Sequence, residues 1–402
     1  MAWNELTVID MDSHIQERPH EMYEGNIDKN YYHDFQRLKT ALVESIEKGN
    51  RGAIAASRHA ILAPVVSDSA LGVMDSFGLI DREFILEHKS QGRKNFGRPG
   101  RENLSAIRPE ASWDIKIRLE DMDASLVDVD VLYPTHVSSY CALTDVGFEN
   151  ALYRAYHRWV SDFCSQAPDR LKWTLVANMR DSRSAVNEIK YWEKDPSLVG
   201  IYMSPQGPNN MLLDDVGLHP IYAEAQEQDL AILVHGGTAR PPYSPGTFDL
   251  RGAWFLQHGL GNPWAGMAAL GAIIGGGILE KFKTLKIGLL ETSSGWLPSI
   301  IERFDAHYQL SPGHVPNLKR TPSEVIQEGR YFHGIDTWEK TLESTVASLG
   351  EDLLLFSTDW PHGDTAWPTG VEQVCEWPNL TYSAKGKILG KNALRLCPRI
   401  LG

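Results

Sequence analysis

Eight short apolar runs, separated by stretches with helical spacing, constrain the fold of this chain more than any other feature. They fall at Thr7–Asp12, Val127–Pro134, Lys172–Ala177, Leu198–Met203, Ala231–His235, Lys286–Glu291, Arg330–Ile335 and Leu353–Thr358. Several are continuously apolar, as Ala-Ile-Leu-Val and Leu-Leu-Leu-Phe show, which is the pattern of a strand covered on both faces. The seventh run, around Tyr331-Phe332-His333, is the least β-branched. Between the runs, Leu152, Ala155, Tyr156, Trp159, Val160 and Phe163 recur at helical spacing within Glu149 to Cys164. The stretches Asp214 to Gln228, Trp296 to Tyr308 and Thr337 to Leu349 read the same way. Such alternation predicts parallel βαβ units. Eight of them predict an α/β fold, a (β/α)8 TIM barrel, with an open doubly wound sheet as the other arrangement. A length of 402 residues suits a single barrel domain over 1–402.

The span between the first two runs is too long for a βα loop. It holds a predicted helix from His33 to Lys48, then a Gly-, Arg- and Asn-rich stretch from Gln91 to Asn103. This is expected to be a partly helical insertion at about 18–118. It would leave from the carboxyl end of the first strand, where it acts as a cap or lid over a pocket.

Composition narrows the partners. A formal net charge of -13 argues against nucleic acid or an anionic membrane, since both need a basic footprint. Cys141, Cys164, Cys375 and Cys397 are scattered and form no C-x-x-C pair, as expected of reduced thiols in a cytoplasmic protein. The start lacks a basic region and an apolar core of the signal-peptide kind. The apolar stretch from Trp264 to Leu279 reads as too short for a bilayer. Its Ala-Ala-Leu-Gly-Ala-Ile-Ile pattern suits a helix packed closely on a sheet. The expected partner is a small molecule, and the helix ring of such barrels suggests a homo- or hetero-oligomer.

Ionisable residues gather at the carboxyl ends of the runs, where a barrel carries its active site. Asp12 and His14 end the first, His136 follows the second, and His235 ends the fifth. Glu291 ends the sixth, His333 falls late in the seventh, and Asp359 follows the eighth. Asp12 and His14 are at i and i+2, hence on one face of a strand and able to reach one ion. Glu17 adds a carboxylate three residues on, and Gly236 and Gly237 leave room beside His235. Asp12, Glu17, Glu291 and Asp359 would repel one another unless cations separate them. The expected metal ligands are therefore Asp12, His14, Glu17, His235, Glu291 and Asp359. His136, Glu291 and His362 are the catalytic candidates, with His333 and Tyr140 as supporting or proton-handling groups. Trp254, Phe255, Trp264, Trp296, Trp360 and Trp367 suggest an apolar wall or ordinary core. There is no Gly-x-Ser-x-Gly elbow, and Gly275-Gly276-Gly277 follows a helix and makes no phosphate loop.

From Thr7 to about Pro368, including Arg118-Leu-Glu-Asp-Met-Asp and Ser357-Thr-Asp-Trp-Pro-His, the chain resembles the amidohydrolase-related family. That family includes aminocarboxymuconate semialdehyde decarboxylase and other metal-dependent decarboxylases and hydrolases. Its decarboxylases usually begin with His-x-His and carry a mid-barrel His, a later catalytic His and a final Asp. Here Asp12 stands at the first position and Glu291 where the later His is expected. Carried over position by position, Asp12, His14, His235 and Asp359 match the metal site, leaving Glu17, Glu291 and His136 for a second ion.

The Asp-x-His-x-x-Glu start and the Glu-x-x-x-Gly-Trp-Leu-Pro segment are also similar to a small oxygenase branch. That branch includes a diterpenoid-pathway di-iron monooxygenase and the manganese/iron 2-aminoisobutyrate hydroxylase. The resemblance implies, first, a dinuclear Fe/Fe or Mn/Fe monooxygenase that uses O2 on a small organic or carrier-linked substrate. The second reading is a hydrolase or non-oxidative decarboxylase using one or two divalent ions, zinc among them. The third is a non-catalytic barrel subunit of a hetero-complex.

Overall fold

The computed structural model describes residues 6–47, 108–135, 137–236, 250, 254–362 and 366–401. Eight strands stand side by side in sequence order: β1 (Ile9–Ile15), β2 (Val129–Pro134), β3 (Leu171–Val176), β4 (Leu198–Met203), β5 (Ala231–His235), β6 (Ile287–Leu290), β7 (Tyr331–Gly334) and β8 (Leu354–Leu355). Each runs parallel to the next. Every strand residue is buried, as the apolar runs require of strands packed on both sides. The helices Val146–Cys164, Ser182–Tyr191, His219–Glu227, Gly261–Gly275, Leu297–Leu310 and Leu342–Leu349 follow β2 to β7 in turn. The fold is a (β/α)8 barrel, and the open sheet is set aside.

The eighth strand is much shorter than its apolar run, because the seam between β8 and β1 is closed mostly by other means. Met11 N donates to Phe356 O at 3.0 Å, Asp359 N to Asp12 O at 2.9 Å, and His14 N to Trp360 O at 2.6 Å. The buried Asp10 carboxylate completes the seam by accepting from Thr358 N at 3.0 Å, from the Thr358 hydroxyl and from Asp12 N at 3.1 Å. A side chain thus replaces ladder bonds, and the same bonds pin the two segments that carry Asp12 and Asp359.

Two helices start later than their spacing suggests. The Asp214 to Gln228 stretch begins as a 3-10 turn at Val216–Leu218, and the α-helix starts at His219, with Pro220 in its first turn. The helix expected from Thr337 forms only from Leu342, because Thr337 and Glu339 turn inward and are buried. The stretch Gly261–Lys281 spans 21 residues and is long and apolar enough to cross a membrane by length and composition. That corrects the expectation that it is too short. It is mostly buried inside the protein, and Gly266 lies so close to Thr292 that a Cβ there would meet its side chain at 2.7 Å. Tight helix-on-barrel packing accounts for its small apolar residues.

A helix forms at Tyr32–Glu47, within one residue of the predicted one. The Gln91 to Asn103 stretch lies outside the described residues.

Candidate functional site

β1 presents Asp12 and His14 on the inner face of the barrel mouth, while Ser13 between them faces the other way. The helix Ile115–Ser125, capped by the Asp114 side chain on Lys116 N and Ile117 N, carries Arg118 beneath this strand end. The buried Arg118 guanidinium donates to Asp130 Oδ2 at 2.8 Å, to His14 O at 3.0 Å and to Ser13 Oγ at 2.6 Å. It also stacks on the Trp360 ring at 4.3 Å. One cation therefore ties β1, β2 and the segment after β8 together directly behind the ligand-bearing residues.

Three side-chain atoms converge in front of that brace. His235 Nε2 lies 2.8 Å from Asp12 Oδ1, His14 Nε2 lies 3.1 Å from the same oxygen, and the two imidazole nitrogens are 3.2 Å apart. Adjacent ligands on a divalent ion with bonds near 2.1 Å are separated by roughly 3 Å, so this triangle fits such an ion. Asp359 Oδ1 lies 3.2 Å from His14 Nε2, and His14, Asp359 and His362 form a second group of ligand atoms overlapping the first. Asp12, His14 and His235 are nearly inaccessible, whereas Asp359, His362 and Glu291 are 14%, 18% and 15% exposed. The exposed three form the rim through which a substrate would reach the buried ligands.

Hydrogen bonds settle the imidazole orientations. His235 Nδ1 lies 2.9 Å from Gly236 O, so its proton sits there and Nε2 is free to ligate. Thr135 Oγ1 lies 3.1 Å from His362 Nε2 and 3.5 Å from His14 Nδ1. His362 Nδ1 lies 2.7 Å from Asp359 Oδ1. The chain is consistent when Thr135 donates to His362 and His362 donates to Asp359.

Electrostatics follow the same grouping. Burial opposes ionisation of Asp12, but the imidazoles of His235 and His14 outweigh it and hold its carboxyl well below the usual range. Burial lowers the His14 pKa. In His235 burial acts the same way, yet Asp12 overcomes it and the imidazole is pushed up to about 9. The cluster is thus an internal ion pair of buried groups that could hold a divalent cation.

Glu291 and Asp359 sit in left-handed backbone, with φ of 51° and 54°. Non-glycine residues occupy that region at a cost of about 1 kcal/mol or more, and such strain concentrates at functional positions. The Glu291 carboxylate receives the Asn262 amide at 3.1 Å and lies 3.3 Å from His235 Nδ1.

The remaining expected residues fall in different places. Glu17 is fully buried and accepts from Thr135 N at 2.9 Å and Val137 N at 3.3 Å. Among the described residues neither Glu17 nor Glu291 belongs to a group of converging ligand atoms. Backbone N–H groups reach Glu17, and the Asn262 amide reaches Glu291. His136, Gly237 and the side chains of Trp254 and Phe255 lie outside the described residues. His333 is buried away from the triangle, between the Tyr331 hydroxyl at 2.7 Å and Ser293 O at 2.7 Å. Burial lowers its pKa to about 4. Tyr140 is also fully buried. Trp360 and Trp367 pack with Ala111 in a small buried cluster, Trp296 stands against the His333 ring, and Trp264 is exposed.

Asp10, Arg118, Asp130, Thr135 and Asn262 were not singled out from the sequence for any role in the site. One signal was available, because Asp130 interrupts the apolar run Val129 to Leu132 and a buried acid requires a cation.

The chain is 25% identical over 280 residues to the gamma-resorcylate decarboxylase of a Polaromonas species, covering 63% of this chain and 81% of that one. The 5-carboxyvanillate decarboxylase of Sphingomonas paucimobilis superposes with a TM-score of 0.66 at 18% identity, over 98% of this chain and 99% of the other. Its counterpart from Novosphingobium aromaticivorans, solved with bound manganese and 3-methoxy-4-hydroxy-5-nitrobenzoic acid, gives 0.67 at 18% identity, covering 98% and 97%. These relatives are decarboxylases. They overturn the expected monooxygenase in favour of the second reading, and they give no support to O2 as a partner. The oxygenase expectation rested on the count of carboxylates and on the resemblance to the oxygenase branch, neither of which fixes the reaction. The amidohydrolase family is matched over residues 59–399, and the chain belongs to that family.

Proposed function

We propose that this protein is a metal-dependent non-oxidative decarboxylase acting on an aromatic acid of the 2-hydroxybenzoate class. The observation that carries the reading is the convergence of Asp12 Oδ1, His14 Nε2 and His235 Nε2 at one point of the barrel mouth, with Asp359 Oδ1 3.2 Å from His14 Nε2. Both overlapping ligand groups include His14, and the reading needs only one ion. Its curated relatives act on gamma-resorcylate, which supports the choice of substrate class.

A divalent ion held by Asp12, His14, His235 and Asp359 would supply a Lewis acid for the oxygen atoms of the substrate. The protein's own residues do the rest. Arg118 fixes the backbone of His14, and Gly236 O fixes the His235 tautomer. The Thr135 hydroxyl and Asp359 hold His362 between them at the rim. Glu291 stands at the mouth outside both ligand groups, so it is the carboxyl group available to carry a proton. In the reaction, a ring π pair takes the Glu291 proton at the carbon bearing the carboxylate. The carbon–carbon bond then breaks, its electron pair returns to the ring, and carbon dioxide leaves. Glu291 regains its proton from solvent. The insertion at about 18–118 would act as the lid that excludes water while this happens.

The test is to load the protein with manganese and offer it a panel of 2-hydroxybenzoates. Carbon dioxide and the matching phenol in equal amounts, abolished by a chelator, are the expected result. Turnover that survives complete metal removal would overturn the reading.

A further inference from the structure

The loop that follows β6 carries Glu291 in strained backbone. Glu291 and Ser293 are both left-handed, with φ of 51° and 55°, and neither is a glycine. Such residues persist only where surrounding contacts over-determine the backbone. One contact is internal, since Trp296 Nε1 closes the turn on Thr292 O at 2.7 Å. The others come from β7 and the segment after it. The His333 imidazole lies 2.7 Å from Ser293 O, and the Ser293 hydroxyl donates to Asp336 Oδ2 at 2.7 Å. Glu339 contributes most. Its carboxylate accepts from Ser294 N at 2.8 Å, Gly295 N at 2.7 Å, the Ser294 hydroxyl at 3.0 Å and Asp336 N at 2.8 Å.

Glu339 is buried, and each of these donors is a neutral N–H or O–H group. A carboxylate taken out of water without a cation is a costly way to fill space. What it supplies is grip, because hydrogen bonds to an ionised acceptor are about twice as strong as neutral ones. The candidate metal ligands stand on β1, on β5 and after β8, and the hydrogen bonds of Glu339 reach none of them. The grip therefore falls on the loop of Glu291 and leaves the ligand triangle alone.

We propose that Glu339 is a positioning residue for Glu291. Through the N–H groups of Ser294 and Gly295 it holds the β6 loop in the conformation that stands the Glu291 carboxyl at the barrel mouth. The proposal rests on the reading of Glu291 as the proton carrier.

The experiment uses the manganese-loaded full chain and the 2-hydroxybenzoate it turns over fastest. Glu339→Gln keeps the size of the side chain but turns one acceptor oxygen into a donor that faces N–H groups. Its kcat is expected to fall about 100-fold, as for a misplacement of about 1 Å, with KM and manganese content within about twofold of wild type. A residue that only held the fold together would lower the amount of folded, metal-loaded protein instead. The second arm is Glu291→Gln, whose residual turnover is measured at high protein concentration. Because Glu339 acts through Glu291, adding Glu339→Gln there is expected to change the rate by about twofold or less. Should Glu339→Gln fail to fold, Glu339→Asp keeps the charge on a shorter side chain and is expected to lose about tenfold in the same pattern. An unchanged kcat, a loss explained by lost manganese, or an equal loss in both backgrounds would each overturn the proposal. The crystal structure of the variant is expected to show Glu291 out of its left-handed backbone and parted from Asn262, and Glu291 in its original place would also overturn it. Failure of the underlying reading is separable. If no 2-hydroxybenzoate is decarboxylated, or Glu291→Gln turns over like wild type, the reading of Glu291 falls and that crystal structure alone decides on Glu339.

Discussion

Asp12 Oδ1 and His235 Nε2 lie 2.8 Å apart although they come from β1 and β5, on opposite sides of the barrel. Nothing but a shared proton or a shared cation brings a buried carboxylate and a buried imidazole so close across a barrel mouth. Asp12→Asn keeps the size of the side chain and removes its charge. Manganese affinity is expected to fall by about 100-fold or more, with circular dichroism unchanged, as for loss of a charged ligand. Full metal content in this variant, measured by elemental analysis, would remove Asp12 from the site.

Arg118 reaches the site only through other groups, so its removal separates stability from binding. Arg118→Met leaves Asp130 buried without its cation, which costs about 3–5 kcal/mol. The double variant Arg118→Met/Asp130→Leu is expected to recover most of that stability in urea unfolding. It does not recover metal affinity, because the His14 carbonyl and Ser13 stay unbraced. Equal recovery of both would reduce Arg118 to a structural ion pair.

Gly236 gives a test of the approach between β5 and β6. A Cβ there would lie 2.4 Å from Glu291 O and 3.0 Å from Thr292 Cγ2, so Gly236→Ala must displace the Glu291 backbone. The expected cost is about 1–3 kcal/mol of stability, with a fall in kcat larger than the change in KM, since Glu291 is the proposed proton carrier. An unchanged kcat would show that Glu291 can shift freely.

His333 predicts a pH dependence of stability. Burial lowers its pKa from 6.5 to about 4, so between these values the unfolded chain binds the extra proton and the folded chain does not. Stability from this group is fully present above pH 6.5 and is lost as pH falls towards 4, by about 3 kcal/mol in all. Urea unfolding across that window should show the slope in wild type and a flatter one in His333→Asn. Identical slopes would place the dependence elsewhere.

The barrel and its ligand triangle were legible because both follow from short-range regularities. Continuous apolar runs marked β4 and β5 to the residue, and the i, i+2 spacing placed Asp12 and His14 on one face. Other features depend on partners far apart in sequence. The seam held by Asp10 and Thr358 spans nearly the whole chain, and this is why β8 shrinks to two residues. Arg118 stood in the sequence only as part of a motif shared with the family, and the fold places it behind His14. Glu17 was read as a ligand from its spacing and the resemblance, and the backbone N–H of Thr135 and Val137 that reach it come from distant sequence. The left-handed backbone of Glu291 and Asp359 has no signature in residue type.

The central claim is that the reaction exchanges a carboxylate for a proton and uses no oxidant. It is tested most directly by incubating the manganese-loaded protein with 2-hydroxybenzoates in D2O without oxygen and weighing the products by mass spectrometry. The account predicts carbon dioxide and a phenol carrying one deuterium at the vacated ring position, at the same rate with and without air. A product that forms only in air and gains an oxygen atom while keeping its carboxylate would contradict it.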